Sequence, residues 1–488
     1  MDQPGENVVI SNPVLIDGNL TPLTLHADGW LRWFERGDEK WMNVEKEVVG
    51  VSMEGSRITL RRAVESGGRY LCVTTTGSLV TKNFVFEPCS EISPKLWYQK
   101  LREYLDSLGR PKRLFIFVNP FGGKKSALKI FVNVVKPLLD AAGIQYTVQE
   151  TKCQLHAKEV ASGLDLTQYD GIVCVSGDGI LVEVINGLLC REDWDTAIKM
   201  PIGIVPAGTG NGMAKSLLDS VGDPCSASNA VLAIIRGHKQ PLDVATISQG
   251  KTRFFSVLML AWGLVADIDI ESEKFRWMGS ARLDFYAIQR MLHLRKYHGR
   301  IHFVPAPGFQ AYVDRISQES KPIWEVQSVN PSEEEPRFQE HGYQGPNVDI
   351  ENMNWRTMEG PFISVWLHNV PWGGETAKPA PDAKFSDGFL DLIVVRDCPK
   401  LALLALMTSL SNGGHIKSPH VSYFKVKSFI LEAGPRTEDP TKEGIIDCDG
   451  EVLARGTGTY MSEQKSLMAY DRLQINVHEG LATLFSPI

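Results

Sequence analysis

The stretch Val175–Leu189, VSGDGILVEVINGLL, decides the fold. It is entered through GIVCV (171–175), an unbroken apolar run of the kind found in strands buried on both faces of a parallel sheet. Beyond the turn, Leu181, Val184, Ile185 and Leu188 recur at helical spacing. Between strand and helix stands Gly-Asp-Gly. An aspartate at a helix start usually caps the helix. Here the flanking glycines strip away side-chain cover and leave Asp178 open to a ligand, able to take a proton from a hydroxyl or to hold Mg²⁺. Further along the helix, Glu183 and Asn186 share a face at i and i+3, which fits either solvent or a nucleotide and its metal.

The same rhythm extends outward. RLFIFVNP carries a continuous apolar strand, and KKSALKIFVNVVKPLLDAAG predicts a helix that ends at Gly143. IQYTVQE and HAKEVASGL repeat the unit, PIGIVP leads into AGTGNGMAKSLL, and SASNAVLAIIRG closes the series. Strand alternating with helix predicts a parallel sheet covered on both faces, with ligands at the carboxyl ends of its strands. Three glycine loops fall at that edge: NPFGGKKS, SGDG and PAGTGNG. Glycines at helix starts let main-chain amides close on a phosphate. The first loop is not a P-loop, because Val118 stands at the first glycine position and Lys125 where Ser or Thr is required. GTGNG is not a dinucleotide fingerprint, since its third glycine comes too early.

The fold class expected is therefore α/β plus β, in three parts. Residues 1–108 alternate short β-like pieces with turns and close with SPKLWYQKLREYL, where Leu96, Trp97, Leu101 and Leu105 recur at helical spacing; the order of elements suggests a small β-rich, pleckstrin-homology-like extension. Residues 109–241 form the parallel-sheet nucleotide-binding domain. Residues 242–488 read as strands of an antiparallel β-sandwich, interrupted by one helix at about 280–297 and a polar, acidic loop at 315–357.

The net charge of −7 argues against a nucleic-acid binder. The first residues, MDQPGENVVI, lack a signal-peptide pattern, and LALLALMTSL (401–410) is too short to span a bilayer and reads as a buried helix. The eight cysteines include no Cys-x-x-Cys pair and read as reduced core thiols. These features point to a cytoplasmic protein, not secreted, without a transmembrane helix. His156 and His415 lack metal-ligand spacing, so no zinc site is assigned. RKYHGRIH (295–302) reads as a solvated basic patch, with contact to anionic headgroups as the alternative.

SGDGILVEVINGLL with PAGTGNGMAKSL resembles the diacylglycerol-kinase-type catalytic domain, a superfamily of lipid kinases. AWGLVADIDIESEKFRWMGSARLDFYAIQRM (261–291) is similar to the sphingosine kinase branch, and NPFGGKKSA and IIDCDGEVL match in place and order. The extended N-terminal region resembles that of plant sphingosine kinases. The resemblance implies a C-terminal β-sandwich that holds lipid, ATP with Mg²⁺ in the cleft, and transfer of the γ-phosphate to the primary hydroxyl of a sphingoid long-chain base. By position, Asp178 matches the base, and Ser176, Gly177 and Gly179 match the loop that touches substrate. Asn119, Pro120, Phe121, Thr151, Glu183, Gly208, Thr209, Gly210, Arg276, Arg282, Asp449 and Gly450 match nucleotide-side positions, and Asp269 the carboxylate that meets the lipid amine. Phe121 replaces a basic residue common there, and Leu155 a usual Asn.

ADIDIESE places Asp267, Asp269, Glu271 and Glu273 within seven residues, on one strand face or around a helix start. Asp269 suits an ammonium, whereas Glu271 and Glu273 read as solvated. Leu283, Ile288, Met291, Leu292 and Leu294 would pack in the core or form a lid over an alkyl chain. Without a spanning helix, transient peripheral docking on an endomembrane such as the vacuolar membrane is expected. The same chemistry on diacylglycerol or ceramide is the nearest alternative. Further off stand a soluble small-molecule kinase and an inactive lipid-binding protein.

Overall fold

The computed structural model describes residues 7–65, 79–90, 93–122, 125–279, 281–319, 342–349 and 352–488. Most of the acidic loop, Gly123 and Lys124 of the first glycine loop, and residues 66–78 of the β-rich extension lie outside the described residues.

The parallel sheet forms because its strands alternate between two apolar layers. Leu114, Ile116, Val118, Val173, Val175 and Val205 face one buried cluster. Phe115, Phe117, Ile172, Cys174, Ile202 and Ile204 face another. With both faces buried, only continuous apolar strands suit the position. The strands Gln145–Glu150, Arg113–Val118, Gly171–Ser176 and Ile202–Pro206 lie side by side in that order, all parallel. A helix of three joined pieces, Ala127–Ile130, Phe131–Val135 with π-type bonding and Lys136–Ala142, ends at Gly143 in the left-handed conformation (φ 72°). The helices Asp178–Leu189, Gly212–Asp219 and Ala227–Arg236 follow their strands as expected.

The long final strand, Arg472–Phe485, joins the two halves of the molecule. It pairs antiparallel with Lys239–Gln249 and Ser422–Arg436, while Leu484 pairs in parallel with Ile202. The parallel sheet thus runs directly into the antiparallel sandwich. In the sandwich Met259–Gly263, Ser364–His368 and Leu390–Val395 are neighbours, with Ile445–Cys448 on the other side of Met259–Gly263. Alternate residues divide between two environments. Leu260, Trp262, Val365, Leu367, Ile446 and Cys448 enter the sandwich core. Ala261, Trp366, Ile393 and Val395 face the opposite way, under the helices Leu264–Glu271, Ala281–Leu292 and Lys400–Ser409.

Two helical readings change. The helix expected to reach about residue 297 stops at Leu292, and Tyr297 opens a strand. LALLALMTSL is only half buried: Leu403 and Leu406 pack, while Leu401 is 84% exposed.

The N-terminal region is a seven-stranded antiparallel sheet with the helix Ser93–Ser107 against it. Trp97, Leu101 and Leu105 are buried there, but Leu96 faces outward. This unit sits on the parallel-sheet domain. Arg110 donates to the carbonyls of Glu45, Val48 and Val49, and Arg236 to that of Lys46. Gly50 lies against the Ala141 carbonyl where a Cβ would collide.

Candidate active site

Four strand ends make the floor. The Thr151 amide donates to the Val118 carbonyl (3.0 Å), the Asn119 amide to Val175 (3.3 Å) and the Ala207 amide to Ser176 (3.0 Å). Thr151, Asn119, Gly177 and Gly208 therefore stand in a row at the carboxyl edge of the sheet.

Gly177 and Gly208 touch through their main chains. A Cβ on Gly208 would collide with the Gly177 Cα and lie 2.6 Å from its nitrogen. Only glycine permits this approach, so the SGDG and GTGNG loops form one surface. Thr209 and Gly210 stay open on it. The helix Asp178–Leu189 starts there with no side-chain cap, leaving its first amides uncommitted to any capping group.

Asp178 is only partly open. Its Oδ2 accepts from the Gly212 amide (2.7 Å) and its Oδ1 from the Met213 amide (3.0 Å), so it caps the next helix rather than its own. Burial raises its pKa and the two amides oppose that rise, while the nearby Glu375 carboxylate adds to it. Asn211, in the left-handed conformation (φ 62°), fixes the loop. Its Oδ1 accepts from the Gly208 amide, and its Nδ2 donates to the Gly208 carbonyl and to Glu375 Oε1 (2.6 Å). The backbone around Trp372 and Gly373 packs against Gly212 so closely that a Cβ there would lie 2.6 Å from the Trp372 carbonyl oxygen. Asn211, Trp372 and Glu375 were not marked by the sequence reading. The Gly-Gly of PWGGE was the available signal, since paired glycines mark a close backbone approach.

Several expected ligand groups are committed elsewhere. Asn119 Oδ1 accepts from the Phe121 and Gly122 amides, shaping its own loop. Pro120 is half-buried beside it, and Phe121 is 66% exposed. Both oxygens of Glu183 accept amides, from Leu155 and Ala157 (3.0 Å each). Glu183 therefore holds the segment that follows Thr151, and Gln154 ties that segment to Glu451 (2.9 Å). Asn186 is buried and bonded to Val182 and to both main-chain groups of Phe255, so it joins helix to strand and does not reach a ligand. Asp449, with φ 55°, accepts from Ser256 Oγ and the Val257, Leu258 and Met259 amides; burial lifts its pKa to about 6. Its carboxylate pins residues 256–259.

The lipid side is built from the helix Leu264–Glu271, not from a strand. Asp269 is partly exposed, and Gly450 lies beside it, a Cβ there falling 4.0 Å from Asp269 Oδ2. Arg282 donates to Ser272 Oγ (3.0 Å) and stands 3.9 Å from Asp269 Oδ1, so it accompanies the carboxylate. The backbone of Arg276 lies in a short 3₁₀ turn, Ser272–Met278; its side chain lies outside the described residues.

The reading of Glu271 as solvated is overturned. Helical spacing puts Asp267 and Glu271 on one face, where both are buried. Arg295 bonds both carboxylates (3.2 and 2.8 Å), Arg290 stands 3.6 Å from Glu271, Tyr286 donates to Glu271 and Tyr297 to Asp267. Arg295 is thus part of a buried network, and with Tyr297 and His302 also buried the solvated-patch reading of RKYHGRIH holds only for Lys296, His298 and Arg300. In the next helix Tyr286, Ala287 and Met291 pack inward, while Phe285, Ile288 and Leu292 face outward.

Residues 113–247 match the diacylglycerol kinase catalytic domain model, and residues 334–466 the YegS C-terminal NAD kinase β-sandwich-like domain. Sphingosine kinase 1 of Arabidopsis thaliana is 60% identical over 486 residues, which cover 100% of this chain and 98% of that protein. The chain belongs to the sphingosine kinase family. A second family member, Sphingosine kinase 2 of the same plant, is 59% identical over 98% of this chain and 97% of its own length. Human ceramide kinase is 31% identical over 80% of this chain and 76% of its own length, so related lipid kinases share the frame.

Proposed function

We propose that the protein transfers the γ-phosphate of ATP to the primary hydroxyl of a sphingoid long-chain base. The supporting observation is Asp178: a carboxylate at a helix start, set where the SGDG and GTGNG loops meet main chain to main chain. Phosphoryl transfer asks an enzyme mainly to position the nucleophile and to meet charge on the phosphate. Asp178 accepts the proton of the attacking hydroxyl. The uncapped helix start after Gly177 and the open Thr209–Gly210 turn face the triphosphate with amides. Mg²⁺ accompanies the nucleotide, bound mostly by phosphate oxygens and water; among the described residues no group of three or more His, Cys, Asp or Glu side chains is placed to hold a metal. Asp269, across the Gly450 turn, receives the ammonium. The alkyl chain runs from there toward the helices that cover this face of the sandwich.

Asp178→Asn lowers kcat by about 10²–10⁴-fold in a radiolabelled ATP transfer assay across a lipid panel, without loss of folding. Near-normal transfer by this variant removes Asp178 as the base. Burial raises the Asp178 pKa, and the base must be ionised, so the acidic limb of the rate profile lies above that of an exposed aspartate.

Membrane contact is also proposed. Among the described residues no helix is long and apolar enough to cross a bilayer. Yet Trp277 (81% exposed), Phe285, Ile288, Leu292 and Leu401 project from adjoining helices, which Lys400 joins by donating to the Leu292 carbonyl. Together they form an apolar surface suited to a bilayer interface. Trp277→Asp with Leu401→Asp abolishes flotation with lipid vesicles while activity on micellar substrate persists; unchanged flotation rejects this contact.

A further inference from the structure

One buried carboxyl beside the amine-facing aspartate has no role in the chemistry so far. Asp447 lies in the strand Ile445–Cys448 and is 0% exposed. Its register neighbours fix its direction. Cys448 pairs with Leu260 and Ile446 with Trp262, and all four side chains enter the sandwich core. Asp447 pairs with Ala261, which faces the helices. Asp447 therefore points under Leu264–Glu271, toward the Asp269 carboxyl, whose charge acts on it. Neither of its oxygens has a hydrogen-bond partner among the described residues, and no Lys or Arg side chain there pairs with it. A buried carboxyl without a cation or an amide donor is a costly arrangement unless a ligand completes it.

We infer that Asp447 and Asp269 together form a two-carboxylate seat for the ammonium group of the long-chain base. The inference rests on the function proposed above and extends its amine subsite from one residue to two. Two neighbouring carboxyls, one wholly buried and one mostly so, resist ionising together, so without ligand the pair keeps one proton. Burial raises both pKa values; the Asp269 charge lifts Asp447 further, while Arg282 and Asp447 oppose the rise at Asp269, so the proton rests on Asp447. A primary ammonium carries three N–H donors and one positive charge, enough to bond both carboxylates at once. As it enters, that proton leaves to solvent, and the pair becomes a dianion facing one ligand cation and Arg282. Asp449, Glu451 and Glu273 are the other charged groups facing the pair, all acidic, and they favour a cation there further. A neutral headgroup leaves the pair protonated and gains nothing from it. The seat thus supplies the preference for an amine over diacylglycerol or ceramide.

The test is Asp447→Asn in the full chain. The amide matches the protonated acid in size and polarity and cannot ionise. If Asp447 only positions Asp269, the variant behaves as wild type. As a seat for the ammonium, it raises KM for sphingosine about tenfold at pH 7.5, while KM for ATP and kcat at saturating sphingosine stay unchanged. In wild type the sphingosine KM falls as pH rises from 6 to 8, because binding releases a proton; in the variant that slope flattens. Thermal melting confirms that the variant folds, and Asp447→Glu restores part of the lost affinity. A parallel measurement follows NBD-labelled sphingosine in detergent micelles without ATP, where the variant binds about tenfold more weakly. An unchanged sphingosine KM with unchanged micelle binding overturns the seat. So does a shifted Mg²⁺ requirement with the sphingosine KM unmoved, which would mean a metal pair. If wild type phosphorylates no long-chain base but binds the labelled one through Asp447, the proposed reaction fails and the seat stands.

Discussion

At the carboxyl edge of the parallel sheet the groups that face a ligand are mostly main-chain atoms, and at the helix-covered face of the sandwich they are carboxylates. The edge is defined by missing side chains: Gly177 and Gly208 meet where a Cβ would collide. The sandwich face is defined by charge, with Asp269 and Asp447 on one side of the helix Leu264–Glu271 and the Asp267–Glu271–Arg295 network on the other. An anion can be held by amides at almost no desolvation cost, because those amides are already oriented. A cation must be met by opposite charge, and buried charge must be compensated whether or not the ligand is present. The first site tolerates no added atom, and the second no unbalanced charge.

Substitutions that add one atom and those that remove one charge separate these two demands. The largest effect is expected at the glycine contact. Gly208→Ala forces the two loops apart and lowers kcat/KM by at least roughly a hundredfold, since misplacing reacting groups by about 1 Å costs that much. Its melting temperature should change far less than its rate, and a variant with normal kinetics would show that the loops can separate freely. In the acidic region the order reverses. Arg295→Ala leaves Asp267 and Glu271 buried without their shared cation, a loss of about 3–5 kcal/mol in denaturant unfolding. Unchanged stability would mean that the network is already solvated.

The smallest effect is on pH. Burial lifts Asp449 and Asp391 to about 6. Their folded pKa values lie above the unfolded ones, so their contribution to stability is lost as pH rises through about 6. Glu271 is shifted the other way, held low by Arg295 and Tyr286 despite its burial, and its contribution is lost as pH falls through its folded pKa. The melting temperature should therefore peak near the ordinary carboxylate range, at about pH 4 to 4.5, and decline as pH rises through about 6, ending a few degrees lower at pH 7.5. A melting temperature that rises steadily to pH 8 would show that these aspartates titrate normally.

The sequence carried the parallel domain well, because helical and strand periods alternate there without ambiguity and the glycine-rich loops mark the turns between them. Asp178 was legible for the same reason. The acidic helix was less so. ADIDIESE fits a strand face or a helix start equally, and the pairing of Asp267 with Glu271 emerges only once helical spacing is known. Arg295 gave no sign of burial, since a basic residue among other polar ones has no periodicity to betray it. Glu183 and Asp449 stood at plausible ligand positions, yet their oxygens are taken by amides distant in sequence.

What the amino-acid order determined by itself is local: apolar strands, helix starts, and glycines that free an aspartate at a turn. Those features depend on residues within a few positions of one another. What only the tertiary structure decided is which polar groups remain open. Amides and cations separated by tens or hundreds of residues compete for the same carboxylates, as Ser256–Met259 do for Asp449 and Arg295 for Asp267. Asp447 stands out only against that background, as a buried carboxyl that the fold supplies with neither amide nor cation.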